Sequence, residues 1–485
     1  MRVALMHFHL NTGGVTTVLR QQAEILMARG HDVLILCGEK PIARWPVPVS
    51  VVPGLAYATA LPQAAPGVSE TTDAILASLR HQWPGGHPDV IHVHNPTLAK
   101  NRRLQAVLKQ LQQSGLALLC QIHDFAEDGR PNVYFQEPYL SDCHYAVVNG
   151  RDRRILMACG LTEKGVHHLP NAVRPWSLHG QQPDGATGHV LYPVRAIRRK
   201  NIGESILLQH CAFPGSPLVI TLPPTSPSDA TSYLMWRRYT ADKDLPVVFE
   251  AGIRGDFRQL MNEARYVITT SINEGFGFSF LEAWTAGKAL WGRLLPDICQ
   301  DFIGFGIHLE HLYPQLGIPD AWIAVDDFQR QWQTVRRHAA AHFGMKIDDQ
   351  QIRSDWLRIT KNGVIDFGLL SEPFQRQVLD HLLSDAGSCR RLLEINPVLK
   401  DFGSRQRIRD ALDHNRSAIS AHFSLKDYGK RLMKLYQNVC NRPVRQHIDK
   451  SALFWAFMAA ERFSLLKWRG FEDECDPQTI DHALS

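Results

Sequence analysis

The stretch Asn273-Glu274-Gly275-Phe276-Gly277-Phe278-Ser279-Phe280-Leu281-Glu282-Ala283-Trp284 follows a short apolar run, Tyr266 to Thr270, of strand length. A strand, a loop with two glycines and a helical run ending near Gly287 together form the unit from which an open parallel sheet is built. Gly275 and Gly277 let the loop lie flat and expose backbone N–H groups where a helix begins. Glu274 falls in the loop and Glu282 inside the helix. A capped helix whose dipole favours a carboxylate at its start accounts for Glu274, but not for the paired glycines.

The same alternation runs outward on the N-terminal side. Val190–Val194, Leu218–Leu222 and Val247–Phe249 read as strands, and before them Asn171 to Gly188, with Pro175, Gly180, Pro183, Gly185 and Gly188, reads as a linker. The first third repeats the pattern: strands at Val3–Met6, Val33–Leu36, Val90–Val93, Leu116–Ile122 and Tyr145–Val148, and a helix at Leu104–Leu111. Val15, Val18, Leu19 and Ala23 share one helical face that stops at Gly30. Two doubly wound, Rossmann-like α/β domains in series are expected, at 1–174 and 189–440. Beyond Trp291 the pattern turns helical. An insertion at about 309–412 assigns poorly, with Trp322, Trp332 and Trp356 as core anchors; Tyr428–Val439 is a good helix, and 441–485 is expected as a helical tail returning to the first domain.

Composition bounds the function classes. Lys and Arg number 53 against 48 Asp and Glu, a net charge of +5 over 485 residues. That is too mild and too dispersed for a nucleic-acid binder. No apolar run approaches the roughly twenty residues needed to span a bilayer, and the start of the chain has no signal-peptide pattern. Nine scattered cysteines with no CxxC pair and no zinc spacing argue for reduced thiols and hence a cytoplasmic location, and no metal site is expected.

Several other residues are placed for chemistry. Gly13-Gly14 lies between the first strand and helix, where a backbone can approach an anion, although a tight turn needing positive φ explains the pair equally well. Arg195 and Lys200 follow a second-domain strand, where ligands of open sheets sit, and could neutralise a leaving diphosphate. Arg198 and Arg199 stay unassigned. His94 and His123-Asp124 end two strands of the first domain. Arg130, in the loop 126–134, suits a carboxylate or phosphate, and Lys100, Arg102 and Arg103 suit an anionic small molecule. Asp242-Lys243-Asp244 resembles a metal-binding DxD but reads as a solvated loop. Along a helix, eight residues between Glu274 and Glu282 span about 12 Å at roughly 1.5 Å per residue, more than the roughly 5 to 9.5 Å of a hydrolytic pair. Binding roles fit better, with Glu282 accepting from ribose hydroxyls and Glu274 from sugar hydroxyls.

Together these residues resemble the retaining glycosyltransferases of the GT-B fold, family 4. Arg195 to Lys200 is similar to that family's Arg-x4-Lys element, Glu274 to Glu282 to its E-x7-E element with the Gly-Phe-Gly core, Gly13-Gly14-Val15 to its glycine loop, and His94 and His123-Asp124 to its strand-ending histidines. Pro170-Asn171 is similar to its hinge, with Ala172 in place of a glycine. The resemblance covers roughly 1–292 and about 415–439. It implies transfer of a hexosyl group, with retention, from a nucleoside diphosphate sugar (UDP- or GDP-linked) to an acceptor hydroxyl, without metal or other cofactor. His123, Arg195, Lys200 and Glu274 would be catalytic. Gly13, Gly14, Gly275, Phe276, Gly277, Phe278 and Glu282 would help bind the donor, and His94 and Arg130 the acceptor, expected as a small anionic metabolite. A sugar-nucleotide epimerase or hydrolase, a membrane-surface lipid glycosyltransferase and a non-catalytic sugar-nucleotide binder are the competing readings.

Overall fold

In the computed structural model, residues 1–11, 13–58, 66–176, 188–385, 387–402 and 405–468 are described. The linker glycines and proline at 180, 183 and 185 lie outside them. The chain divides into two compact units, one of 1–174 with 421–457 and one of 175–420 with 458–485.

The first unit holds a seven-stranded parallel sheet of β1 (Arg2–His7), β2 (Asp32–Cys37), β3 (Val49–Val51), β4 (Val90–His94), β5 (Leu118–Ile122), β6 (His144–Val147) and β7 (Val166–His168), in the order β3-β2-β1-β4-β5-β6-β7. Its strands are near-continuous apolar runs because both faces are covered. Val3 and Leu5 of β1 enter one core and Ala4 and Met6 the other, the period of two that a strand imposes.

The helix Leu425–Asn441 belongs to this unit. Tyr428, Leu432, Leu435, Tyr436 and Val439 form one apolar stripe and join the core with Leu19, Ala23 and Leu26 of the helix Gly14–Ala28. Gly429 makes the approach close enough that a Cβ there would meet Ile25 at 2.7 Å. Its place corrects the 189–440 boundary expected from sequence, since an amphipathic stripe says that a helix is buried but not against what. The tail also differs from expectation. Residues 450–457 stay with the first unit, whereas 458–468 return to the second, where Trp468 packs on Phe343 and the Ser464 hydroxyl donates to Gly368 O at 2.7 Å.

The second unit holds a five-stranded parallel sheet of β8 (His189–Arg195), β9 (Leu218–Leu222), β10 (Val247–Val248), β11 (Ala264–Thr269) and β12 (Leu290–Gly292), in the order β10-β9-β8-β11-β12. The poorly assignable insertion contains a two-stranded antiparallel ribbon, β13 (Gly317–Pro319) with β14 (Val364–Asp366), and the helices Val325–His342, Asp349–Ile359, Glu372–Ser384 and Ser388–Ile395. Trp322, Trp332 and Trp356 are buried in it as expected, Trp332 against Trp356 and Phe463. Asp242-Lys243-Asp244 closes the helix Pro227–Asp242, with Lys243 paired to Asp380.

The cysteines depart from the expectation of uniformly reduced thiols. Cys211 and Cys389, 178 residues apart, form a disulfide with Cα atoms 5.4 Å apart. Spacing along the chain carries no sign of it, because the helix Ile202–Ala212 and the insertion meet only in the fold. His210 adjoins this pair in the one group of possible metal ligands among the described residues, and both sulfurs of that group are bonded to each other.

Candidate active site

In both sheets the strand order reverses direction beside the first strand of the unit: between β1 and β4 in the first, between β8 and β11 in the second. Outside the carboxyl ends of two such strands the connections diverge and leave a crevice, the usual ligand position of an open α/β sheet. Gly13-Gly14 and His94 fall at the first of these points and Arg195, Lys200 and Glu274 at the second, while His123 and Arg130 follow β5, the next strand over.

In the second unit, Arg195 ends β8 and Lys200 closes the turn Arg198–Lys200 after it, while Glu274 lies in the loop after β11. Lys200 and Glu274 form an ion pair with side chains only 13% and 10% exposed. Burial lowers the Lys200 pKa, with Glu274 opposing that shift. Burial works against the Glu274 carboxylate too, but Lys200 and Arg199 outweigh it and hold its pKa below the ordinary value. The ion pair replaces solvation that each group has lost.

The loop carrying Lys200 is held from several sides. Tyr192 and Thr270 donate to Lys200 O at 2.7 and 2.9 Å, and Ile272 N donates to Arg199 O at 3.0 Å. Asn201 turns the chain in the left-handed region, φ 53°, and its Oδ1 accepts from Gln375 Nε2 at 2.8 Å. Arg198, unassigned from sequence, is bound to Glu372, so its charge is engaged within the fold. Arg293 bridges Glu204, at 2.6 Å, and Asp366, at 2.7 Å, and so ties the ribbon of the insertion to the helix that follows Asn201. Glu372, Gln375, Asp366 and Arg293 escaped the sequence reading, since no local pattern announces contacts spanning up to 174 residues.

After β11 the loop reaches the helix Ser279–Thr285. Gly277 has φ +87°, and a Cβ there would lie 2.8 Å from the Phe280 ring, so glycine is required for the turn and the packing together. Phe276 is buried against Phe302 and Phe278 rather than open to a ligand. Its expected donor contact can therefore come only from its backbone. Glu282 differs from Glu274: burial raises its pKa, and its carboxylate has no partner among the described residues.

In the first unit, Gly13 is extended at φ 177°, and Gly14 begins the helix Gly14–Ala28. Neither lies in the left-handed region, so the tight-turn explanation of this pair does not hold. A Cβ at Gly14 would meet nothing within 4 Å, and one at Gly13 only Asn11 O at 4.0 Å. The protein's own packing does not demand either glycine, which leaves room for an outside group at the backbone.

The histidines form a buried relay. His94 Nδ1 faces His123 Nε2 at 3.0 Å, and His94 Nε2 faces Gln22 Oε1 at 3.0 Å. The Gln22 amide donates to Gln121 and to the Tyr428 hydroxyl at 3.0 and 2.7 Å. Burial holds the His123 pKa down at about 4 and that of His94 well below its ordinary value. His94 is wholly inaccessible, which corrects the expectation that it touches an acceptor: it ends β4 under His123 and sets that ring in place. Arg130 pairs with Asp124 at 2.6 Å, with about a third of its side chain exposed.

Two doubly wound parallel sheets in one chain, with charged groups and imidazoles gathered at their switch points, define a GT-B architecture. Residues 13–159 match the family model described as a glycosyl transferase 4-like domain. The chain is 24% identical over 339 residues to the mannosylglucosyl-3-phosphoglycerate synthase of Petrotoga mobilis, over 61% of this chain and 66% of that relative, just under two thirds of its length. Among solved structures, a glycosyltransferase from Rickettsia africae ESF-5 superposes with TM-score 0.57 at 10% identity, over 91% of this chain and 99% of that one. Anabaena HepE in complex with UDP and glucose gives 0.54 at 13% identity, over 90% and 99%. Sucrose-phosphate synthase of Thermosynechococcus elongatus gives 0.52 at 14%, over 90% and 98%. At these identities the structural likeness establishes the fold. The fold of the chain is thus GT-B, and its residues 13–159 are similar to a glycosyl transferase 4-like domain. Among the described residues no helix is long and apolar enough to cross a membrane.

Proposed function

We propose that the protein transfers a hexosyl group from a nucleoside diphosphate sugar to a hydroxyl of a small anionic acceptor, with retention at the anomeric carbon. The observation that carries this reading is the buried Lys200–Glu274 pair at the β8/β11 switch point, with Glu282, unpartnered among the described residues, in the helix that follows Glu274. Arg195 and Lys200 answer the charge that develops on the departing diphosphate, Glu274 accepts from sugar hydroxyls and Glu282 from the ribose. The sugar–phosphate C–O bond breaks and the acceptor oxygen bonds the anomeric carbon on the same face. The acceptor proton passes to the leaving phosphate oxygen.

In the first unit, His123 and the Gly13-Gly14 backbone serve the transferred sugar. Arg130 serves the acceptor. The nucleotide and sugar in the Anabaena complex and the phosphoglycerate in the name of the Petrotoga relative support this choice of donor and acceptor classes. Arg195, Arg199 and Lys200 are the cations of that loop other than the engaged Arg198, and they can supply positive charge to a donor diphosphate from the protein itself. A cytoplasmic location fits substrates of this kind. The test is a thermal-shift screen of nucleotides and nucleotide sugars, followed by turnover with the one that binds. The donor that stabilises the protein should yield a glycoside of unchanged anomeric configuration when an anionic acceptor is added. Free nucleotide and sugar with no glycoside would replace this reading with a hydrolase.

A further inference from the structure

The carboxyl edge of the first sheet carries a second group of side chains beside His123. His9 follows β1, Tyr57 follows the turn Pro53–Leu55, Lys100 follows β4, and Asp124 and Arg130 follow β5. The His9 ring lies 4.8 Å from the Tyr57 ring, and the Lys100 ammonium 5.3 Å from the same ring. His9 in turn contacts His7 at 5.4 Å, and His7 contacts His94 at 6.3 Å, so the group is continuous with the histidine relay.

Lys100 is the anomaly. Its ammonium is half-buried yet has no hydrogen bond or ion pair among the described residues. Its backbone, by contrast, is engaged, with Lys100 O accepting from Ala58 N at 2.7 Å. A cation withdrawn from water without an acceptor is costly. Burial, then repulsion from Arg130, push its pKa down, and Asp124 only partly opposes them. The nearest aromatic face gives it a partial substitute. Arg130 spends one nitrogen on Asp124, which leaves further donors of its planar fork. The Tyr57 hydroxyl has no partner among the described residues either, and burial raises its pKa, with Glu39 and Asp124 adding to the shift.

We infer that Lys100, with Tyr57, His9 and Arg130, forms the subsite that holds the anionic group of the acceptor, a carboxylate or phosphate borne on a hydroxylated carbon chain. This rests on the reading of the first unit as the acceptor side. Lys100 supplies the point charge and Arg130 directional hydrogen bonds. The Tyr57 face excludes water from the contact, and the Asp124 and Glu39 carboxylates accept from the ligand's hydroxyls. The mixed charge of the group suits a hydroxy acid or a phosphorylated polyol better than a bare anion.

The test uses the intact chain without donor. Inorganic phosphate, D-glycerate and glycerol 3-phosphate are titrated by calorimetry into the wild type, Lys100→Met and Lys100→Arg, with glycerol as the neutral control. The same ligands are titrated into a Lys200→Met/Glu274→Gln variant, which disables the donor side. We expect at least one hydroxylated anion to bind both the wild type and the donor-side variant and to bind Lys100→Met at least tenfold more weakly. Lys100→Arg should recover most of the loss, and glycerol should not bind. Preference for glycerate identifies a carboxylate and preference for glycerol 3-phosphate a phosphate. Equal binding to Lys100→Met, loss of binding in the donor-side variant, or no binding of any anion overturns the assignment. The readout needs neither nucleotide nor turnover, so failure of the transferase reading would show in the donor screen and not here.

Discussion

The Glu372 carboxylate holds the Arg198 guanidinium from two sides: Nε donates to Oε1 at 2.7 Å, and Nη2 donates to Oε2. The residues are 174 positions apart, one in the turn that carries Lys200 and the other at the start of an insertion helix. Ser232 adds a third bond to the same carboxylate at 2.6 Å. The arrangement gives the insertion a mechanical task, which is to fix the loop that carries Lys200.

Removing one member of this pair separates stability from donor binding. Glu372→Gln leaves Arg198 buried without its counter-charge, which costs about 3 kcal/mol by the usual magnitude for a broken buried pair. Denaturant unfolding should show that loss, and the donor KM should rise about tenfold with a smaller change in kcat. Arg198→Met/Glu372→Leu, which replaces both charges by apolar groups, should regain much of the stability while the donor KM stays high. An unchanged donor KM in both variants would reduce the contact to a structural one.

Lys200 and Glu274 pose the complementary case, because here both partners are assigned to substrate. Lys200→Met should lower the transfer rate by about a hundred- to a thousandfold, the scale seen when one stabilising donor is lost from a transition state. It should also destabilise the fold, since the buried Glu274 carboxylate loses the ammonium that keeps its pKa low. Adding Glu274→Gln should restore the melting temperature but not the activity. Steady-state kinetics and melting curves on the three variants decide it; full activity in Lys200→Met would remove this lysine from the mechanism.

The β8/β11 site was legible because its determinants are local. A strand, a glycine turn and a short helix put Gly277 and Glu282 in place within a dozen residues, and the apolar runs of β1, β4 and β5 show the doubly wound pattern on their own. What escaped was set by distance along the chain or by shortness. β3, β7 and β12 have three residues each, too few for a period to register. The partner of the Tyr428–Val439 stripe lies some four hundred positions upstream, as the bond from Gln22 to Tyr428 shows. His94 looked like a ligand contact because a strand-ending histidine can face outward or inward, and only the packing of Gln22 and His123 around it decides which.

The Cys211–Cys389 cross-link makes a redox prediction. It joins the helix that begins beside Lys200 to the insertion and closes a loop of 178 residues. Constraint of that many residues in the unfolded chain is worth about 2–4 kcal/mol in typical disulfides. A thiol reductant should therefore lower the melting temperature of the wild type, and Cys211→Ser should show the lower value with or without reductant. If reductant shifts both proteins equally, the stabilisation comes from somewhere other than this bond.

The histidine relay sets the response to acid. Burial holds the His123 pKa at about 4 and those of His7 and His92 at about 3, against 6.5 in an unfolded chain. Between about pH 4 and 6.5 the unfolded state thus binds protons that the folded state refuses. Stability accordingly rises with pH across that window and is lost as pH falls through it. Each such imidazole contributes a slope of about 1.4 kcal/mol per pH unit. His123→Asn removes one titrating ring while keeping an amide that can bond His94, so its unfolding free energy should climb less steeply from pH 4 to 6.5 than that of the wild type. Denaturant unfolding at half-unit pH steps reads both slopes directly. A wild-type curve flat between pH 4 and 6.5 would mean that these rings accept protons without unfolding, and the neutral relay under His123 would have to be abandoned.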